Sequence, residues 1–171
     1  HTGLINMNKR KMSKSLGNIS SPRELLSKYG SELVRYFFLS HHYRHLTDFS
    51  EELMEDSKNS LQRIQDFVIN LKNGKDTKES DKILKTYKKE FYNFMDDDLD
   101  APNALASIFN LIRELNKIGG GKKVLSFFKE INRFFGFLDF EEKEVAKDVL
   151  ELIKLREKAR KSKDFKESDR L

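Results

Sequence analysis

The chain has no cysteine and no tryptophan, and only two prolines in 171 residues. Without cysteine, disulfides and thiolate metal sites are excluded, and nothing opposes a reducing, cytoplasmic setting. No apolar run approaches the ~20 residues that a bilayer-spanning helix needs, so no membrane partner is expected. No signal peptide is recognisable. The first residue is His1, in a segment that reads as mid-domain, and the expectation is a piece of a longer polypeptide. Hydrophobic residues make up only 37% of the chain, against 36% charged. That balance suits thin helical layers better than one deep core, in one domain or two small ones.

What the chain does have is positive charge, unevenly placed. The formal net charge is +5. Between Lys154 and Lys166 stand Lys154, Arg156, Lys158, Arg160, Lys161, Lys163 and Lys166 against Glu157 and Asp164, an excess equal to that of the whole chain. On a helix, Lys154, Lys158 and Lys161 share one face, and Arg156, Arg160 and Lys163 share the neighbouring one. A ridge of this kind suits a polyanion; a solvated helix face is the competing reading. Near the other end, Lys11-Met12-Ser13-Lys14-Ser15 runs into Leu16-Gly17-Asn18. Two lysines at that spacing in a loop can meet a polyphosphate as point charges, and the serine hydroxyls add donors. Gly17 frees the backbone to turn beside a ligand. A plain basic loop is the alternative.

The rest of the chain reads as capped helices. Residues 4–8 alternate weakly, as a short strand feeding the lysine–serine loop. Ser21-Pro22-Arg23-Glu24 is a capping box with proline at the helix start, and the helix stops at Gly30. Ser31 is expected to cap a second helix with Leu33, Val34, Phe37 and Phe38 on its apolar face. Ser50 caps a long helix with Leu53, Leu61, Ile64, Phe67, Val68 and Leu71 inward, ending near Asn73-Gly74. Residues 75–81 are polar and aperiodic, and are predicted to be a linker. Ile83, Leu84, Tyr87, Phe91, Phe94 and Met95 then mark a helix ending at Asp96. Asp100 is placed to cap the next, with Pro102 in its first turn and Leu105, Ile108, Phe109, Ile112 and Leu115 inward. After Gly119-Gly120-Gly121 a helix runs from Val124 to Phe135 with Leu125, Phe128, Ile131 and Phe135 as core candidates. A last helix opens near Glu141.

Two clusters invite a chemical reading. His41, His42 and His45 form an H-H-x-x-H set, but bare histidine spacing without acidic or cysteine support is a weak metal motif, and no metal site is assigned. Asp96-Asp97-Asp98 resembles a metal or acid–base set; helix capping and the positive helix start account for such acids better. Tyr43 and Arg44 are candidates for phosphate or sugar contacts, or for fixing one helix to the next.

Lys11 to Ser15 resembles the KMSKS signature of class I aminoacyl-tRNA synthetases. Three further stretches resemble cysteinyl-tRNA synthetases in the family's order: Arg35 to Arg44 with its RYF-LS-HYR pattern, Met95-Asp96-Asp97-Asp98 before a proline-opened helix, and Glu151 to Phe165 with its AR-x-x-KD pattern. His45 departs from the small polar residue the family pattern expects there. The resemblance implies a mainly α chain: a helical stem-contact region followed by an antiparallel helical bundle, appended to a class I Rossmann catalytic domain absent from this chain. Residues 1–20 would end the catalytic domain, 21–74 form the stem-contact fold, and 82–171 form an incomplete tRNA-binding domain on the anticodon side.

The implied activity is cysteine activation by ATP, with Mg2+, and transfer to cysteine tRNA. Lys14 first and Lys11 second would stabilise the pyrophosphate leaving group, with Ser13, Ser15 and Gly17 completing the ATP contacts. Arg44, Arg156, Arg160 and Lys163 would contact tRNA. The family's HIGH-type motif, cysteine pocket and zinc site belong upstream of His1. No zinc ligand in this chain can be matched to the family's, and the chain alone is expected to be inactive. Two rivals are a cysteine-dependent ligase of small-molecule thiol biosynthesis, which takes an aminosugar in place of tRNA, and a non-catalytic helical tRNA-binding module.

Overall fold

The computed structural model describes residues 3–12 and 21–140. Ser13, Lys14, Ser15 and Gly17, and the basic segment holding Arg156, Arg160 and Lys163, lie outside the described residues. The described elements are, in chain order, β1 (Ile5–Met7), β2 (Arg10–Lys11), α1 (Pro22–Tyr29), α2 (Ser31–Leu39), β3 (Thr47–Phe49), α3 (Glu51–Leu71), α4 (Lys78–Asp96), α5 (Ala101–Ile118) and α6 (Lys122–Phe135). The mainly helical class expected from the sequence is the one observed. Among the described residues, no helix is long and apolar enough to cross a membrane.

Caps explain most of the boundaries. Ser21 Oγ accepts from the Glu24 amide at 3.2 Å while Glu24 Oε2 accepts from the Ser21 amide at 2.8 Å, the reciprocal box expected at α1. Ser50 Oγ accepts from the Leu53 amide at the start of α3, and Asp100 accepts from the Asn103 amide at the start of α5. Ser31, expected as a cap, is instead the first helical residue of α2. Gly30 (φ 79°) closes α1 and opens α2 at once, a conformation only glycine takes easily. The stretch read as a linker is shorter than 75–81, because Thr77 and Ser80 form their own capping box and draw residues 78–81 into α4.

The buried apolar residues fall in two groups that share α3. The first joins Leu25, Leu33, Phe37, Phe49 and Met54, with Met7 and Tyr29 packed against it. The second lies among α3, α4, α5 and α6, where Ile64, Phe67, Val68, Phe91, Leu105, Ile108, Leu111, Leu115, Phe128 and Ile131 are buried. Phe91 meets Phe127 edge-on at 5.7 Å, and Phe67 meets Phe128 at 5.6 Å. Several core expectations shift by one helical position. Tyr36 is buried and Phe38 exposed, because α2 turns Tyr36 toward Phe137 (5.3 Å, edge-on). On α6, Val124 and Phe127 join Phe128 and Ile131 inside while Leu125 is only half-buried. Phe109 is also half-buried, under the Arg63 guanidinium at 5.4 Å. A polar seam closes α4 on α6: Lys88 donates to Glu130 at 2.7 Å, and the Tyr92 hydroxyl donates to the same carboxylate. Burial first, and then that carboxylate, push the Tyr92 phenol up to about 12.

The two loops at one end of the helical cluster touch through glycine backbone. α6 opens on Gly121, which has no side chain to cap it, so Asp76 from the α3–α4 loop takes that role. Its two oxygens accept from the amides of Gly121 (3.0 Å) and Lys123 (3.1 Å). A Cβ on Gly74 would stand 1.8 Å from the Gly120 carbonyl oxygen. At Gly119 nothing lies within 4 Å of an added Cβ, but φ 84° with ψ 173° is a conformation confined to glycine. Gly119→Ala is therefore expected to lose ~1–3 kcal/mol to strain, and Gly74→Ala more, since two backbones must separate. Thermal unfolding of both variants checks the order; a Gly74→Ala protein that melts like the wild type would show that the loops do not meet.

Candidate functional site

The Lys11–Ser15 signature begins on a hairpin. β1 and β2 pair antiparallel with Met7 opposite Arg10 and Asn6 opposite Lys11. That leaves a two-residue turn, Asn8-Lys9, with φ of 51° and 63°. Both residues are left-handed, the conformation of a type I′ turn, whose twist suits a hairpin. Asn tolerates it; Lys does so less readily. The turn is held from outside. The Lys9 amide donates to Asp48 Oδ1 at 2.7 Å and the Asn8 amide to the Phe49 carbonyl at 3.0 Å, both on β3. β3 runs parallel to β1, with Asn6 level with Asp48 and Met7 with Phe49. Lys11, exposed on β2, is thereby the one predicted ATP-contacting residue whose place is described. A cleft beside the turn is lined by Met7, Asn8, Tyr29 and Phe49, with the Lys28–Glu51 ion pair at its edge.

The sequence treats Tyr43-Arg44 and Asp96-Asp97-Asp98 as separate motifs; the fold brings them together. The Tyr43 hydroxyl donates to Asp98 Oδ1 at 2.7 Å, Arg44 Nη2 donates to the same oxygen at 2.9 Å, and Arg44 Nε donates to Tyr43 Oη at 3.0 Å. The Tyr43 hydrogen bond first, and the charge of Arg44 after it, hold the Asp98 carboxyl below its usual range against some desolvation. Separated by 54 residues, Arg44 and Asp98 gave no sequence signal of their contact. Asp97 closes α4 through its own amide, and Asp100 opens α5. The three acids and Asp100 therefore carry turn and helix-end roles rather than a paired acid–base site.

The histidines are also occupied separately. His41 Nδ1–H donates to the Phe37 carbonyl at 2.8 Å, His42 stacks on Tyr43 at 5.0 Å, and His45 lies 4.9 Å from His42. Among the described residues no three His, Cys, Asp or Glu side chains are grouped to hold a metal ion.

Comparison with known proteins fits this arrangement. Residues 1–59 match the tRNA synthetases class I (C) catalytic domain, and residues 90–155 match the DALR domain. A cysteine–tRNA ligase of Caldicellulosiruptor saccharolyticus is 36% identical over 188 aligned positions, which take in all of this chain and 40% of that protein. The chain thus spans well under half the length of the curated relative it matches. Among solved structures, the ternary complex of an Agrobacterium radiobacter LeuRS with tRNA and LeuAMS superposes with a TM-score of 0.56 at 20% identity, over 70% of this chain and 18% of that one. At that identity the likeness is one of fold. The hairpin, α1 and α2 fall in the first family match and α5 and α6 in the second, so the Tyr43–Arg44–Asp98 contact joins the two matched regions. With the synthetase and DALR matches in this order along one chain, and all of this chain similar to part of a cysteine–tRNA ligase, the chain belongs to the cysteinyl-tRNA synthetase family.

Proposed function

We propose that the protein containing this chain is a cysteine–tRNA ligase working in the cytoplasm. It activates cysteine with ATP to cysteinyl-adenylate and esterifies the cysteine to the end of cysteine tRNA. The observation that carries this reading is the family membership together with an intact Lys11–Ser15 signature whose first residue stands on the second strand of a braced hairpin. In the activation step the cysteine carboxylate attacks the α-phosphorus of ATP and pyrophosphate departs. Charge grows on the leaving oxygens, and cations already in position stabilise that state more than the ground state. Lys14 takes this role with Lys11 behind it; Ser13 and Ser15 donate hydrogen bonds, and Gly17 lets the loop close on the phosphates. ATP is taken with Mg2+. The described residues offer no set of zinc ligands and the chain has no cysteine, so no step is assigned to zinc here.

The tRNA side of the reading divides the chain by role. Residues 1–20 carry the ATP signature, 21–74 face the tRNA stem, and 82–171 face its anticodon side. Arg156, Arg160 and Lys163, in the stretch of highest positive charge, are the residues assigned to the tRNA backbone. An aminosugar has no backbone to follow, and a ligase of that kind gains nothing from the ridge. This favours tRNA as the acceptor.

Lys14→Ala in the intact protein is expected to slow adenylate formation by ~10²–10³, the range for losing one preorganised charge-stabilising group, with cysteine affinity little changed. Cysteine-dependent ATP–pyrophosphate exchange is the assay, and exchange within a few-fold of wild type would remove Lys14 from the role. Replacing Arg156, Arg160 and Lys163 with Gln is expected to weaken tRNA binding and flatten its log–log salt dependence by roughly two to three units. Adenylate formation should persist. Normal tRNA KM in the triple variant at physiological salt would leave the ridge a solvated face.

A further inference from the structure

Two donors from consecutive residues converge on one anionic oxygen. The Tyr43 hydroxyl and Arg44 Nη2 both reach Asp98 Oδ1, and the Arg44 Nε–H bond to Tyr43 Oη locks the phenol and the guanidinium against each other. The guanidinium carbon stands 5.4 Å from the centre of the Tyr43 ring. A phenol and a guanidinium preset around a single oxygen form a receptor for an oxyanion, and the guanidinium fork matches phosphate as well as carboxylate. His42, stacked on Tyr43, and His45 beside it extend the same surface with flat, hydrogen-bonding rings.

The present occupant is weakly held. The side chains of Arg44 and Asp98 are 57% and 47% exposed, and so exposed an ion pair contributes little to stability and is screened by salt. Asp98 is also presented at a conformational cost. It and Leu99 have φ of 55° and 56°, left-handed values uncommon outside glycine and asparagine. Leu99 is 60% exposed, so little packing is gained at that turn in return. The backbone strain holds a carboxylate against Tyr43 and Arg44, and the carboxylate is easy to replace.

From this we infer that Tyr43 and Arg44 bind one phosphate of an RNA backbone, and that Asp98 stands in for this phosphate in the free protein and is displaced when RNA docks. The inference rests on the tRNA partner proposed above. A free phosphate brings no other contacts to outweigh a tethered carboxylate, whereas an RNA brings many. The stand-in therefore selects for a polyanion over small anions, and Asp98 is a built-in competitor that weakens tRNA binding.

The test uses the intact protein, a cysteine tRNA transcript and binding measured across a salt series. Asp98→Asn removes the charge and suits a left-handed residue; Asp98→Gly suits it at least as well. Both are expected to tighten binding about two- to fivefold, the span an exposed ion pair allows. The salt dependence should steepen by up to about one unit of slope, because no released carboxylate regains a counterion. Adding Arg44→Gln to Asp98→Asn should cancel the gain. Unchanged or weaker binding in both single variants, with normal circular dichroism, would overturn the inference. So would inorganic phosphate displacing tRNA from the wild type as readily as from the variants, because Asp98 would then exclude no small anion. ATP–pyrophosphate exchange run alongside separates the two readings. Its absence from the wild type fails the ligase assignment, whereas normal exchange with unaltered tRNA affinity in the variants fails this inference alone.

Discussion

Helix α2 is the element on which both halves of the structure lean. Three consecutive residues leave it in three directions. Arg35 Nη1 donates to the Gly136 carbonyl at 2.9 Å, Tyr36 meets Phe137 edge-on, and Phe37, fully buried, packs on Phe49 of β3 at 5.6 Å. The nine residues of α2 thus touch both the strand that braces the hairpin and the exit from α6. The geometry at Gly136 supports this. Its φ of 64° terminates α6 in a left-handed turn and leaves its carbonyl facing Arg35, whose guanidinium fills the space a Cβ would need. Burial of Tyr36 and Phe37 supplies most of the energy here, since aromatic side chains each bury a large apolar surface.

The chemistry proposed for the protein depends on that rigidity. A lysine that stabilises a departing pyrophosphate works only if it is in position before charge develops. Within the described residues the positioning is visible as a chain of contacts: Phe37 on Phe49, β3 on β1, Asp48 under the Lys9 amide, and Lys11 at the end of the hairpin. On the other side, α2 leads directly into Ser40 to Arg44, so the same helix also sets where Tyr43 and Arg44 stand relative to Asp98. Lys11 and the Tyr43–Arg44 pair then share one support.

Helix starts were legible because capping is local chemistry: Ser21, Ser50 and Asp100 act within three residues of themselves. The KMSKS signature was legible for a similar reason, as five contiguous letters. What the sequence hid is non-local. β3 has three residues, too few for alternation to register, and it is a strand only because β1 lies beside it. The start of α4 was missed because the Thr77–Ser80 box sits in a polar stretch whose composition suggested a loop. Asp76 capping α6 and Asp98 holding Arg44 each join residues more than 40 positions apart, and nothing in either segment announces its partner. The one-position shifts in the cores of α2 and α6 arise because each helix packs on two neighbours, which widens and rotates the buried stripe.

If α2 joins the two sides into one cooperative unit, their backbone hydrogen bonds should open together. Native-state hydrogen exchange can follow the Thr47 amide, which donates to the Leu4 carbonyl beside the hairpin, and the Leu111 amide, deep in α5. Tyr36→Ala removes the buried ring between them at a cost of ~3 kcal/mol or more. The account predicts that protection at Thr47 and Leu111 falls by the same amount in that variant. A fall at one with the other unchanged would contradict it, leaving the hairpin side and the helical side as separate units.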